Sequence, residues 1–254
     1  MGRLLVVVAH PDDETFGTGS VIAKAAADGH DVIVCCATRG EAGEDTSGTT
    51  SSPAELAEVR ERELRAAAAT LGATEVVLLD FADSDMEGPM PDRALAGVPV
   101  DEVRDAVAAV IAQVGPDVVV TLDPDSIADH RDHQRIGEAT THAFAQAAPD
   151  GARLYYWTLA HSVIQRWQVE MKQLGLLPQY VEIELGRPDE QMTTVLAAED
   201  VLDTRWAGIN AHRTQTSPFA SVSPELQRDL LSTVHLVRVV PPWNGGPVET
   251  SLFG

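Results

Sequence analysis

Lysine is nearly missing from this chain of 254 residues: Lys24 and Lys172 are its two examples. Lysine and arginine together number 18 against 39 acidic residues, a formal net charge of −21. Such a balance provides no basic patch and argues against nucleic acid or an anionic membrane surface as partner. Cysteine is also scarce. Cys35 and Cys36 are adjacent within an apolar run, which excludes a disulfide framework and reads as two small buried residues in a reducing compartment. No charged segment precedes Leu4, and no apolar run approaches the length of a membrane span, so a soluble, cytoplasmic protein is expected. Internal repeats and a dividing linker are absent as well. One domain over residues 1–254 is therefore expected, with a core over 1–160 and a C-terminal extension over 161–254.

The chain is organised around its first apolar run. Leu4 to Ala9 reads as a strand buried on both faces of a parallel sheet. Pro11 cannot donate to a ladder, so pairing should end at His10. His10-Pro11-Asp12-Asp13-Glu14 then falls at the carboxyl end of a central strand, where open α/β sheets hold their ligands. The plainer alternative is an acidic turn capping the next helix, with Asp13 or Thr15 as N-cap.

Strand and helix signals then alternate. Strands are expected over Asp31–Thr38, Glu75–Phe81, Asp117–Leu122 and Arg153–Leu159, and helices over Ser20–Ala27, Pro53–Leu71, Pro99–Val114 and from His133 to about Ala147. Arg39–Ser52 reads as a mobile loop near the site. Right-handed crossovers predict an α/β fold, a Rossmann-like, mostly parallel sheet of order 3-2-1-4-5 with helices on both faces. The extension is read as α+β: helices His161–Leu174, Glu199–His212 and Pro224–Leu231, and strands Tyr180–Leu185 and His235–Val240. In that order strands one and four are neighbours at the switch point, which brings His10–Glu14 beside His130–His133.

His10, Asp13 and His133 can form a two-histidine, one-carboxylate site suited to catalytic zinc or non-haem iron(II). Asp12 is a spare carboxylate able to act as base, His130 a spare imidazole, and Asp132 an acid able to orient a histidine. Metal, base and a further polar group are what metal-assisted hydrolysis requires. A dinucleotide site fits poorly, because the turn lacks G-x-G-x-x-G and carries three acids where pyrophosphate would lie. Iron(II) oxygenase chemistry would use the same ligand types but has no use for the adjacent free carboxylate. A non-catalytic metal-stabilised module would leave the acid–base groups idle.

Ala9-His10-Pro11-Asp12-Asp13-Glu14 with a later His130-x-Asp132-His133 resembles the PIG-L/LmbE family of zinc-dependent N-acetylglucosaminyl deacetylases. The likeness extends through Arg60-x-x-Glu63, Leu71-Gly72 and Asp83-Ser84, and weakly to His212-x-x-Gln215. The resemblance implies that His10, Asp13 and His133 bind the metal and that Asp12 is the general base. It also implies that His130 stabilises the oxyanion, that Asp132 tunes this histidine, and that Arg60 and Asp83 approach the sugar. Two positions depart from the family pattern. Arg131 stands where many members carry proline, and Ala128 where mycothiol-pathway members often carry a tyrosine, which argues against the mycothiol precursor as substrate.

Other candidates have plainer readings. Arg60 could form a surface ion pair with Glu61 or Glu63, and Asp83 could be a turn residue. Asp123, Asp125 and Asp129 read as loop solvation, and His212 as a helix-end cap or a residue lining the site. His30, His142, His161 and His235 read as structural or solvent-facing. The expectation is a zinc hydrolase, with iron(II) as the other metal, removing acetyl from an amino-sugar conjugate; an amidase acting on a related conjugate is the alternative. The expected partner is that small molecule, with homo-oligomerisation left open. In the expected reaction Asp132 favours the imidazolium form of His130 by charge pairing.

Overall fold

The structure is a computed structural model and describes residues 1–125, 130–176 and 185–254. The first strand, β1, spans Arg3–Val8, and from Leu4 onward its residues are fully enclosed, as a strand covered on both faces requires. A short helix α1 (Asp13–Phe16) and then α2 (Gly19–Ala27) lead to β2 (Asp31–Cys36). Helix α3 (Pro53–Leu71) begins with Pro53 in its first turn, Ser52 accepting from the Glu55 N–H, and ends at Gly72 with φ 91°. There follow β3 (Glu75–Leu78), α4 (Val100–Val114), β4 (Val118–Leu122), α5 (Arg131–Ala147) and β5 (Arg153–Thr158). The C-terminal part adds α6 (His161–Gln173), β6 (Thr194–Ala197), α7 (Leu202–Ile209), α8 (Pro224–Ser232) and β7 (Thr233–Val240).

One sheet of seven strands runs β3-β2-β1-β4-β5-β7-β6. Its first five strands are parallel in the expected order, and β1 pairs with β4 from Leu4 opposite Val118 to Val7 opposite Thr121. The two crossovers leave β1 and β4 in opposite directions, so their carboxyl ends border a shared crevice. The extension does not stand apart: β7 pairs antiparallel with β5, and β6 antiparallel with β7. The four-residue β6 was not foreseen, being too short for alternation to stand out. The expected strand Tyr180–Leu185 falls almost wholly outside the described residues, as do Ala128 and Asp129.

The main core surrounds β1, β2 and β4. A second apolar cluster joins Ile164, Trp167 and Met171 of α6 to Ile209, Phe219, Leu226 and Leu230. Cys35 and Cys36 are enclosed, and burial pushes the Cys35 thiol up to about 12, so it stays protonated. Asp123 corrects its expected solvation: it is buried and accepts from Arg187 Nη2 at 2.8 Å, pinning the end of β4 to the extension. His30 is structural, accepting from the Gly2 N–H and stacking on Phe253. Among the described residues no helix is long and apolar enough to cross a membrane.

Candidate active site

Beyond Ala9 the chain turns sharply, and Asp12 takes φ 127°, a region unfavourable for any residue with a Cβ. Strain of this kind costs about 1–3 kcal/mol and persists where neighbours over-determine it. Here they do. The Asp12 N–H donates to Glu14 Oε2 at 2.9 Å, and its carbonyl accepts from the N–H groups of Thr15 (2.9 Å) and Phe16 (2.7 Å). The capping reading fails on geometry. Asp12 occupies the N-cap position of α1 without a side-chain cap bond, and Asp13 turns back, its Oδ2 accepting from the N–H groups of Ala9 (3.2 Å) and His10 (2.9 Å).

Helix α5 brings the second cluster. His133 Nε2 lies 3.2 Å from Asp13 Oδ1, and His10 Nδ1 lies 3.7 Å from Asp13 Oδ2. One ligand atom from each of His10, Asp13 and His133 falls within 4.8 Å of the others, a spacing suited to one metal ion. Two observations test the fit. His10 donates from Nε2 to Asp132 Oδ2 at 3.1 Å, leaving Nδ1 toward Asp13, which is the carboxylate–histidine support typical of metal ligands. His133 Nδ1 is buried without a partner among the described residues, while Nε2 faces Asp13. The donor set suits zinc or iron(II). Burial opposes charge on Asp13, but the His133 and His10 imidazoles outweigh it and hold this carboxyl well below its usual range.

Asp132 lies with His10, Asp83 and His130 in a second group whose ligand atoms fall within 4.8 Å of one another, but its hydrogen bond goes to His10 and not to the His130 ring. Its carboxylate is fully enclosed and binds His10, the Ser84 N–H (2.9 Å) and the Ala96 N–H (3.1 Å). His130 instead caps α5: its Nδ1 accepts from the Asp132 backbone N–H at 3.2 Å, which places the proton of the neutral ring on Nε2. Burial, with the neighbouring His10 and His133, pushes the His130 imidazole down to about 3, against the pull of Asp132 and Asp13. His10 goes the other way. Burial opposes its charge, yet the Asp132 hydrogen bond and the Asp83 and Asp13 carboxylates raise it to about 9.

Arg60 is not on the surface. It lies 3% exposed on the inward stripe of α3, donating from Nη2 to Asp12 Oδ2 at 2.8 Å and from Nη1 to Gly40 O at 2.7 Å. A Cβ at Gly40 would sit 2.4 Å from Arg60 Nη1, so the guanidinium needs glycine above it. Burial drives Asp12 up to about 6 even though Arg60 pulls it down. Glu63, the other expected partner of Arg60, instead accepts from the N–H groups of Arg213 (2.9 Å) and Thr214 (3.1 Å).

Asp83 is buried with Oδ1 3.7 Å from His10 Nε2. In the loop 39–52, Asp45 accepts from Ser47, Gly48 and Thr50, and the Thr46 N–H donates to Thr214 O at 2.9 Å, a tie to the C-terminal part. Arg131 donates to Asp85 O at 2.8 Å, tying the loop after β3 to α5. His212 neither caps nor lines the site. It is buried behind Asp12, donating from Nε2 to Glu14 Oε1. Sequence reasoning missed Glu14 as a support and Arg205 altogether, whose buried guanidinium donates to the carbonyls of Thr15 (3.2 Å), Phe16 (2.7 Å) and Gly17 (3.3 Å).

Two cavities meet at Asp13 and His133. A polar one of about 730 Å³ is bordered by His10, Asp12, Arg60, Asp83 and His130 as well as Asp13 and His133. A second, of about 510 Å³, also reaches Asp13 and His133 but is walled mainly by apolar side chains.

Residues 5–144 match the PIG-L family, described as GlcNAc-PI de-N-acetylase. The chain belongs to this family. A deacetylase of 1D-myo-inositol 2-acetamido-2-deoxy-α-D-glucopyranoside from Rhodococcus jostii is 34% identical over 93% of the chain and 91% of its own length. The enzyme of the same name from Kineococcus radiotolerans is 34% identical over 99% of the chain and 82% of its own length. Among solved structures, N,N'-diacetylchitobiose deacetylase from Pyrococcus horikoshii superposes with TM-score 0.62 at 20% identity, covering 94% of this chain and 84% of that one. The 4-carboxy-2-hydroxymuconate hydratase GalB from Pseudomonas putida gives 0.63 at 21%, covering 97% and 100%. These two share the fold, and since one is a hydratase, the fold alone does not fix the reaction.

Proposed function

We propose that this chain is a zinc-dependent hydrolase that removes the N-acetyl group from an N-acetylglucosamine-type sugar conjugate, acting in the cytoplasm as one domain over residues 1–254. The observation that carries this reading is a further carboxylate, Asp12, held by Arg60 and bordering the same cavity as the His10, Asp13 and His133 cluster but outside that cluster. The family and the names of the relatives support an amino-sugar substrate. The pairing of β7 with β5 supports a single domain.

A divalent metal, when bound, supplies Lewis acidity that polarises the amide carbonyl and brings the pKa of water toward about 7 in favourable sites. Asp12 accepts the proton of the attacking water and returns it to the departing nitrogen; burial, which raises its carboxyl, makes it a better proton acceptor than an exposed aspartate. His130 donates its Nε2–H to the developing oxyanion as a neutral imidazole, a contribution of about 2.7–4 kcal/mol for donors of this kind. Asp132 fixes the ring of His10, and Arg60 fixes Asp12. Asp83 and Arg60 border the polar cavity, which we assign to the sugar.

Purified protein loaded with zinc, offered a panel of N-acetylglucosamine conjugates that includes the inositol-linked one, should release acetate and free amine in equal amounts. Cleavage of a different amide in the conjugate would move the assignment to the amidase. Turnover that required dioxygen and a reductant would replace zinc with iron(II).

A further inference from the structure

The second cavity is not needed to hold an acetyl group. A methyl group fills about the ~30 Å³ that one water occupies in the liquid, whereas this chamber encloses about 510 Å³. Its walls are Trp157 of β5, Ile164, Trp167 and Met171 of α6, Phe219 and Leu230. The polar atom of Trp167 is already committed, Nε1 donating to Pro218 O at 2.9 Å, so the indole presents an apolar face. Arg205 borders the chamber without offering an anion site. Its Nε, Nη1 and Nη2 donate to Thr15 O (3.2 Å), Ser20 Oγ (3.0 Å) and Phe16 O (2.7 Å). An apolar chamber of this size forfeits dispersion contacts unless something fills it.

Its position says which part of a substrate would enter. Asp12 must reach the departing nitrogen, and Asp12 borders the polar cavity and not the chamber. Nitrogen and sugar therefore lie on the polar side. The acyl carbon sits at the metal ligands, and Asp13 and His133 form the chamber's edge. We propose that the chamber receives an aliphatic acyl chain longer than acetyl, so that the enzyme also hydrolyses N-acylated amino sugars with medium-length chains. This rests on the amidohydrolase reading above. The balance is that of deacetylation: water adds to the acyl carbon, the C–N bond breaks, the amine leaves with a proton, and the acyl group leaves as its carboxylic acid. Leu176, half-exposed, adds a further apolar side chain to the lining.

The test is a series of N-acyl glucosamines from acetyl through butanoyl and hexanoyl to octanoyl, with the octyl glycoside of N-acetylglucosamine as a separate arm. Burial of a methylene corresponds to about three- to fourfold in affinity, so kcat/KM should climb by about that factor per methylene over the first few carbons. A flat or falling acyl series overturns the proposal, and a gain confined to the octyl glycoside assigns the chamber to the aglycone and also overturns it. Met171→Trp should narrow the chamber and cut the octanoyl-to-acetyl ratio at least tenfold. Leu176→Asp, at a half-exposed position that tolerates charge, should lower the same ratio and serves if the first variant folds poorly. If no sugar amide is turned over, the hydrolase reading fails by itself. The chamber is then judged by the tryptophan fluorescence of Asp12→Asn protein, in which Trp157 and Trp167 should respond saturably to N-octanoylglucosamine and not to the acetyl compound. No response to either ligand sinks the inference.

Discussion

Two neighbouring acids, Asp13 and Glu14, each pair with a histidine far along the chain, and the two pairs do different things. Asp13 meets His133 at the edge of both cavities, with His10 close by. Glu14 meets His212 where both side chains are wholly enclosed and border neither cavity. Residue type does not separate them, nor does the pattern of bonds; access to the cavities does. Asp13 Oδ2 is fixed by two backbone N–H groups, so Oδ1 faces His133 at the cavity edge. Glu14 Oε2 is spent on the Asp12 N–H. The first pair faces the cavities, where we propose that a metal binds, and the second acts on the chain, holding the strained Asp12 backbone through its N–H.

The strongest way to break this comparison is to remove each histidine. His133→Ala should lose the metal and essentially all turnover while the fold survives, because His133 is partly exposed and its removal opens a cavity edge. Metal analysis and thermal melting of that variant are the check, and full metal content would place the ligand set elsewhere. Next in size is Asp12→Asn. It should keep its metal and its thermal midpoint yet lose about 10²–10⁴-fold in turnover, the usual cost of removing a general base. Near wild-type turnover would overturn the mechanism whatever the family membership.

Glu14→Ala probes the structural pair. It leaves His212 enclosed without its acceptor and the Asp12 N–H without a partner. Breaking a buried pair from one side costs about 3–5 kcal/mol, on the order of 10 °C in thermal midpoint for a chain this long. The sign with pH follows from His212. Burial lowers its pKa, but Glu14 outweighs burial and raises it. The pair's contribution is therefore full below the unfolded value of about 6.5 and fades as pH rises through the higher folded value. Wild-type stability should show that decline, and Glu14→Ala should lack it. A variant as stable as wild type, with the same pH profile, would remove the distinction between the two pairs.

Much of this was legible in the chain because the signals are local. Leu4 to Ala9 ending at Pro11 marked a central strand by its unbroken apolar run, and alternation with helices ordered the first five strands. The switch point then brought His10 and His133 together without any contact being known. The direction of individual side chains was not legible. Asp132 is two residues from His130, yet from the first turn of α5 its carboxylate points at His10, a choice made by how the helix packs. Glu14 and His212 lie 198 residues apart and meet through the placement of α7, which no pattern near either residue announces. One further signal lies in α3. Arg60 and Glu63 fall on the stripe that α3 buries with Leu56, Leu64, Ala67 and Leu71, and charge on an inward stripe has to have a partner inside.

Arg60 supplies the smallest and most discriminating prediction, since it separates support of the base from contact with sugar. Asp12 carries two opposed influences: burial raises its carboxyl to about 6, and the Arg60 guanidinium beside it pulls it down. The base works only when ionised, so kcat/KM should rise with pH and level off above that carboxyl's pKa, at about 6 or lower once a bound cation adds its own pull. Arg60→Gln removes the nearby positive charge. Ionisation of Asp12 then becomes harder, and the acidic limb should move upward by roughly one unit, the low end of what an adjacent opposite charge contributes. At pH well above the limb the variant should recover much of its turnover, and Arg60→Lys should restore part of the shift through charge alone. An acidic limb that stays in place while KM for the sugar conjugate rises would show that Arg60 acts on the substrate instead. The hydrogen bond to Asp12 would then be a resting arrangement that the sugar displaces.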